Sequence, residues 1–238
     1  FMSVEFIVFF AILSFLTSLL TSIFSLGGGL IMLVALAQSF SPATLIPLHG
    51  SIQLANNFSR TLVYREFFQW KLIKNILIST MFGAVIGIYL FGTLPENLLV
   101  MVIAATILFL TWAPLDSLIL SGMKNDWFCG FISGFAGIFV GANGPLVTAY
   151  LRTKNLSPEV LVANHGAIMI FQHGIKIILF ASFFNFMILD YFIFILILAL
   201  TGYAGAILGR RLISKVPFKS FNIILKVFLT LLAFSLFF

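Results

Sequence analysis

The chain has 238 residues, of which 61% are hydrophobic and only 8% charged; it carries 30 phenylalanines and a formal charge of +6, and its mean hydropathy is +1.18. A soluble domain usually has about 25% charged residues, so there are too few charges here to face water and the composition requires lipid as the main solvent. The single cysteine, Cys129, excludes an internal disulfide and a cysteine-built metal cluster, and thirteen Lys and Arg scattered between apolar runs fit membrane topology better than nucleic-acid binding.

A membrane-crossing helix takes about 20 apolar residues, and shorter runs suggest half-crossings. The first apolar stretch, 3–25, has no cleavable-signal pattern and reads as part of the mature protein. It is interrupted at Gly27-Gly28-Gly29, and a short run over 29–39 follows. Long segments come next at 42–65, 70–92 and 95–113, then a polar connector from Asp116 to Asp126. The second half opens with two short pieces, 127–140 and 145–153, separated by Gly141-Ala142-Asn143-Gly144. Long segments at 158–183, 188–212 and 217–237 complete it.

The halves match in sequence. An offset of 116 carries Ser41-Pro42 to Ser157-Pro158, His49-Gly50 to His165-Gly166, Gly28 to Gly144 and Arg60 to Lys176. Further on the offset is 122, carrying Gly83-Ala84 to Gly205-Ala206, Gly87 to Gly209 and Pro95 to Pro217. Basic residues crowd the connections near 65–74 (Arg65, Lys71, Lys74) and 210–219 (Arg210, Arg211, Lys215, Lys219), with Lys124, Arg152 and Lys154 between. The loops at 39–41, 92–97 and 184–187 have none. With every basic loop cytoplasmic, each half crosses an odd number of times and the second copy enters upside down, as in many secondary transporters. The predicted fold is therefore an all-α polytopic membrane protein of two inverted repeats, each a broken or re-entrant segment plus three transmembrane helices. The first repeat spans 1–114, the connector 115–126 and the second repeat 127–238.

Irregular backbone at membrane depth is tolerated only against protein or a water-filled cavity. Short helices starting after Gly29 and after Pro145 would begin near the midplane, with unpaired first-turn amides and the positive dipole end that suit an anion. Gly28, Gly29, Asn143 and Gly144 are the candidate residues there; the alternative is that these glycines merely allow tight helix packing. In the segment after Pro42, His49, Gln53, Asn56 and Arg60 share one helical face. The repeat places His165, Met169, Gln172 and Lys176 likewise, with Asn57 and His173 beside each stripe. Polar groups in lipid usually face a bundle interior or an aqueous cavity, which makes both stripes candidates for lining a pathway, Arg60 and Lys176 drawing anions into its two mouths. Interhelical hydrogen bonds and snorkelling are the alternative. For His49 and His165, substrate contact, a structural hydrogen bond and proton coupling all stay open. No carboxylate or thiol stands at metal-ligand spacing from them, and all seven acidic residues lie near segment ends or in loops, so the cavity is expected to prefer anions and to need no cofactor.

Ser25-Leu26-Gly27-Gly28-Gly29-Leu30, its counterpart Gly141-Ala142-Asn143-Gly144-Pro145-Leu146, the helix after each, and the Gly83/Gly87 and Gly205/Gly209 segments resemble the sulfite exporter TauE/SafE family of prokaryotic membrane permeases. The resemblance covers almost the whole chain. It implies export of a small sulfur-containing anion (sulfite, sulfoacetate or a related organosulfonate) across the cell inner membrane. The expected function is a secondary transporter working by alternating access, with a passive small-anion channel as the alternative. An intramembrane enzyme is disfavoured, since no nucleophile and no Gly-x-Ser-x-Gly pattern stands out. The expected partners are the anion and the lipid bilayer, with a homo-oligomer left open and no nucleic acid.

Overall fold

The computed structural model describes residues 2–24, 27–113, 125–141, 143–213 and 230. The expected last segment at 217–237 apart from Thr230, most of the connector, and Ser25, Leu26, Ala142, Lys124, Lys215, Pro217 and Lys219 lie outside the described residues. Among the described residues every regular element is helical: α1 (Val4–Phe24), α2 (Gly28–Ala37), α3 (Pro42–Val63), α4 (Trp70–Phe91), α5 (Glu96–Trp112), α6 (Asp126–Val140), α7 (Gly144–Arg152), α8 (Pro158–Phe184) and α9 (Phe192–Leu212), with short 3-10 turns at Arg65–Phe67 and Ile188–Tyr191. Local chemistry sets several starts. Pro42 and Pro158 stand in the first turns of α3 and α8, where their missing N–H costs nothing. Asn125 accepts a bond from Trp127 N at 2.9 Å and caps α6.

Among the described residues four helices are long and apolar enough to cross a membrane: Val4–Phe24, Trp70–Phe91, Pro158–Phe184 and Ile188–Leu212. Two of the segments expected to span are not among these four. Helix α3 has the length, 22 residues, but its polar face keeps it out of the apolar class. Helix α5 is apolar but only 17 residues long. The outer faces are lipid-like, with Phe82, Tyr89, Ile178, Ile193 and Leu200 all exposed.

Three pairings dominate the packing: α4 against α6, α1 against α9, and α3 against α8. Exchanging the two halves through the offsets leaves this set unchanged. The match extends to single residues. A Cβ at Gly83 would overlap the Phe131 carbonyl oxygen, and one at Gly205 would overlap that of Phe15; Phe15 and Phe131 are themselves 116 apart. Helices α3 and α8 run antiparallel, since Gly50 faces Lys176 while Gly166 faces Thr61.

The connections sort by charge. Arg210 pairs with Glu66 and donates to the Val63 carbonyl, Asn164 bonds Phe67 O and Gln69 N, and Lys154 pairs with Asp126 at 3.3 Å. These ties gather Arg65, Lys71, Lys74, Arg152 and Arg211 at one end. At the other, Phe40 meets Phe6 and Tyr191, and Gly92 meets Phe184, in loops without Lys or Arg.

Candidate functional site

Both helical breaks are made possible by glycine. Gly27 has φ 93° and Gly141 φ 76°, conformations open to glycine and strained for L side chains. The reversals let two short helices start inside the protein, α2 with Gly27 at its N-cap and α7 with Asn143 in the equivalent place. Between them lies a cavity of about 30 Å³, on the scale of two or three waters. The first half lines it with Thr21, Gly27, Gly29, Leu30, His49, Gln53, Asn57 and Arg60; the second with Gly144, Pro145, His165, Met169 and His173. The first-turn amides of α2, and that of Gly144 in α7, sit at this junction, each with the positive end of its helix dipole. Pro145 removes one donor from the α7 side.

Two histidines tie the long helices to the short ones. His49 Nε2 donates to Gly29 O at 2.9 Å and His165 Nε2 to Gly144 O at 3.3 Å. A carbonyl only accepts, so the hydrogen sits on Nε2 in both rings; both Nδ1 atoms are buried without a partner. Arg60 and Lys176 are wholly buried. Arg60 donates through Nη2 to Asn57 Oδ1, which leaves its Nε without a partner. Lys176 Nζ donates to Gly141 O at 2.8 Å and approaches His173 Nδ1 at 3.3 Å. Neither Arg60 nor Lys176 forms an ion pair with a described residue. The six described acidic residues stand in first turns of helices or in short turns. A buried charge without a partner is costly, so a cation held here favours the company of an anion.

The family model for sulfite exporter TauE/SafE matches residues 10–236. The chain belongs to the sulfite exporter TauE/SafE family. No curated protein and no solved structure matches it. Proteins of the TauE/SafE family are membrane permeases for sulfite and related sulfur anions rather than enzymes, and the chemistry of the chamber agrees with that class.

Within this TauE/SafE chain the residues singled out from sequence fall into two groups. Gly29, His49, Gln53, Asn57, Arg60, Gly144, His165 and His173 come together around the cavity. Gly28, Asn56, Asn143, Gln172 and Lys176 do not line it. Gly28 packs so closely on α1 that a Cβ would overlap Thr17 O and Thr21 Oγ1. Asn56 donates to Ser14 Oγ at 3.1 Å and fills the space left by Gly202. Its counterpart Gln172 donates to Thr80 Oγ1 and Ser133 Oγ, and accepts from Asn143. Lys176 stands behind His173, at the Gly141 break. Thr21 and Leu30 are cavity residues that the sequence reading passed over. For Thr21 a signal existed: Ser14, Thr17, Ser18, Thr21 and Ser22 form a buried hydroxyl stripe on an otherwise apolar helix.

Proposed function

We propose that this protein is a secondary transporter that exports a small sulfur-containing anion across the prokaryotic inner membrane by alternating access. The observation that carries the reading is the cavity itself: two inward helix N-termini and a wholly buried Arg60, without an ion-pair partner among the described residues, converge on it from both halves. The anion sits between α2 and α7, close to His49, Gln53, Asn57, His165 and His173. Asn56, Asn143 and Gln172 hold the walls, and Arg60 and Lys176 supply the field. The small cavity favours an ion the size of sulfite in this conformation; a larger organosulfonate needs the short helices to part.

Residues 1–114 and 127–238 act as two inverted repeats about the 115–126 connector. The exchange-symmetric pairing of α1 with α9 and α4 with α6 supports this. So does the gathering of basic loops at one end, which we assign to the cytoplasm. Rocking of one repeat against the other would expose the cavity to each side in turn. Flux in proteoliposomes tests the proposal, comparing sulfite, sulfoacetate, sulfate and chloride. Saturable movement of a sulfur anion with counter-exchange is expected. Movement of every anion without saturation would replace the transporter with a channel, and no movement of any would remove both readings.

A further inference from the structure

Arg60 and Lys176 occupy equivalent positions in the two halves, and each bonds the residue three before it, Asn57 or His173. The two pairs differ in one respect. Arg60 cannot lose its proton and Asn57 does not titrate, whereas Lys176 and His173 both exchange protons. With the His173 hydrogen on Nε2, Lys176 Nζ has two acceptors around it, Gly141 O and His173 Nδ1. A neutral amine has two N–H groups and satisfies both. An ammonium has three, and the third finds no acceptor among the described residues.

Among the described residues the surroundings hold no counter-charge. The titratable and charged groups around the Lys176–His173 pair are His49 and Arg60 from α3 and His165 from α8 itself, none of them anionic. The other elements packed on α8 bring charge only at their ends or in turns: Arg65 and Glu66 in the 3-10 turn, Lys71 and Lys74 near the start of α4, Asp126 in the first turn of α6, Arg152 in the last turn of α7; α8 itself adds Glu159 in its first turn. Among the described residues nothing else offers this site a negative charge, so an anion in the cavity would supply it, with His173 touching both the cavity and Nζ.

We propose that Lys176, paired with His173, is a proton site linked to the anion. Nζ takes up one proton as the anion enters, passing from amine to ammonium, and returns it as the anion leaves, so that anion and proton cross together. This rests on the transport reading above. His49 and His165 are held differently, each committing its Nε2–H to a short-helix carbonyl and so orienting the breaks.

The test is calorimetric titration of the purified full chain in detergent. Methanesulfonate, singly charged from about pH 6 to 9, is added in two buffers of different ionisation heat, which counts protons taken up. If sulfite alone binds, it is used with its own proton subtracted. Wild-type protein is expected to approach uptake of one proton per anion on the alkaline side, with affinity falling about tenfold per pH unit there. The variant His173→Asn/Lys176→Arg copies the Asn57/Arg60 pair that this fold already holds; it keeps a cation that cannot be released. It is expected to bind with no proton uptake and one affinity across the range. If it does not fold, Lys176→Arg alone takes its place. Anion binding by wild type without proton uptake, uptake that survives in the variant, or loss of binding by a folded variant would each overturn the proposal. Failure of both methanesulfonate and sulfite to bind wild type would overturn the transport reading instead.

Discussion

Replacing Arg60 by Gln removes the charge but keeps an amide that can still donate to Asn57 Oδ1, so the cavity wall should survive. Arg60 lines a cavity of about 30 Å³, which places any anion inside it about 4 Å from the guanidinium. At an effective dielectric constant near 20, that separation is worth about 4 kcal/mol. The dipole of a short helix contributes about 0.3–1 kcal/mol per end, too little to replace the cation. The dissociation constant for sulfite should therefore rise by up to about a thousandfold in Arg60→Gln. Arg60→Lys keeps the charge and should remain within about tenfold of wild type. Titration calorimetry in detergent at fixed ionic strength measures both, with size-exclusion profiles to verify folding. A folded Arg60→Gln variant that binds within about fivefold of wild type, or an Arg60→Lys variant that loses as much as Arg60→Gln, would refute the reasoning.

Further consequences follow from the packing and the cavity. Asn57→Leu removes the acceptor of Arg60 from the cavity wall and should abolish sulfite flux in proteoliposomes while the protein still inserts; unchanged flux would remove the α3 stripe from the pathway. Gly83→Ala and Gly205→Ala each drive a methyl into backbone of a partner helix and should destabilise by about 1–3 kcal/mol or more. Gly174→Ala meets nothing within 4 Å and should gain about 1 kcal/mol of helix propensity. Thermal unfolding in detergent ranks the three, and a Gly174 variant less stable than the other two would contradict the packing. Because Cys129 is buried, a cysteine at exposed Asn97 should react with an impermeant maleimide added outside intact cells, while one at Lys71 should react only after permeabilisation. The opposite pattern would reverse the assigned orientation.

Much of this arrangement could be read from residue order alone, because offsets of 116 and 122 relate positions that also pack alike, as Gly83 on Phe131 and Gly205 on Phe15 do. The stripe on α3 was legible as a face but not as two faces. Successive residues on a helix turn by about 100°, so Asn56 and Asn57 look to different neighbours: Asn56 to Ser14 and Gly202, Asn57 to the cavity. A pattern in one segment identifies an edge of polarity without saying which helix will meet each side of it. The hydroxyl stripe of α1 escaped for a related reason. Ser and Thr can return their hydrogen bonds to their own helix, as Thr21 does to Thr17 O at 2.7 Å, and so blend into an apolar span. The short α5 and the polar α3 departed from expected spans because length and apolarity are separate requirements that those segments meet one at a time.

The clasp of α1 against α9 also has a consequence for how the chain is made. Ser14 Oγ donates to Leu198 O across 184 residues of sequence. At a synthesis rate of about 5–20 residues per second, α1 waits roughly 10–40 seconds for the helix that will cover its hydroxyl face. Throughout that interval Ser14, Ser18 and Ser22 need another host, such as the insertion machinery or a neighbouring early helix. A ribosome stalled before α9 should therefore hold a first half that is inserted but unfinished, its serine-lined seam open to protease and to crosslinking.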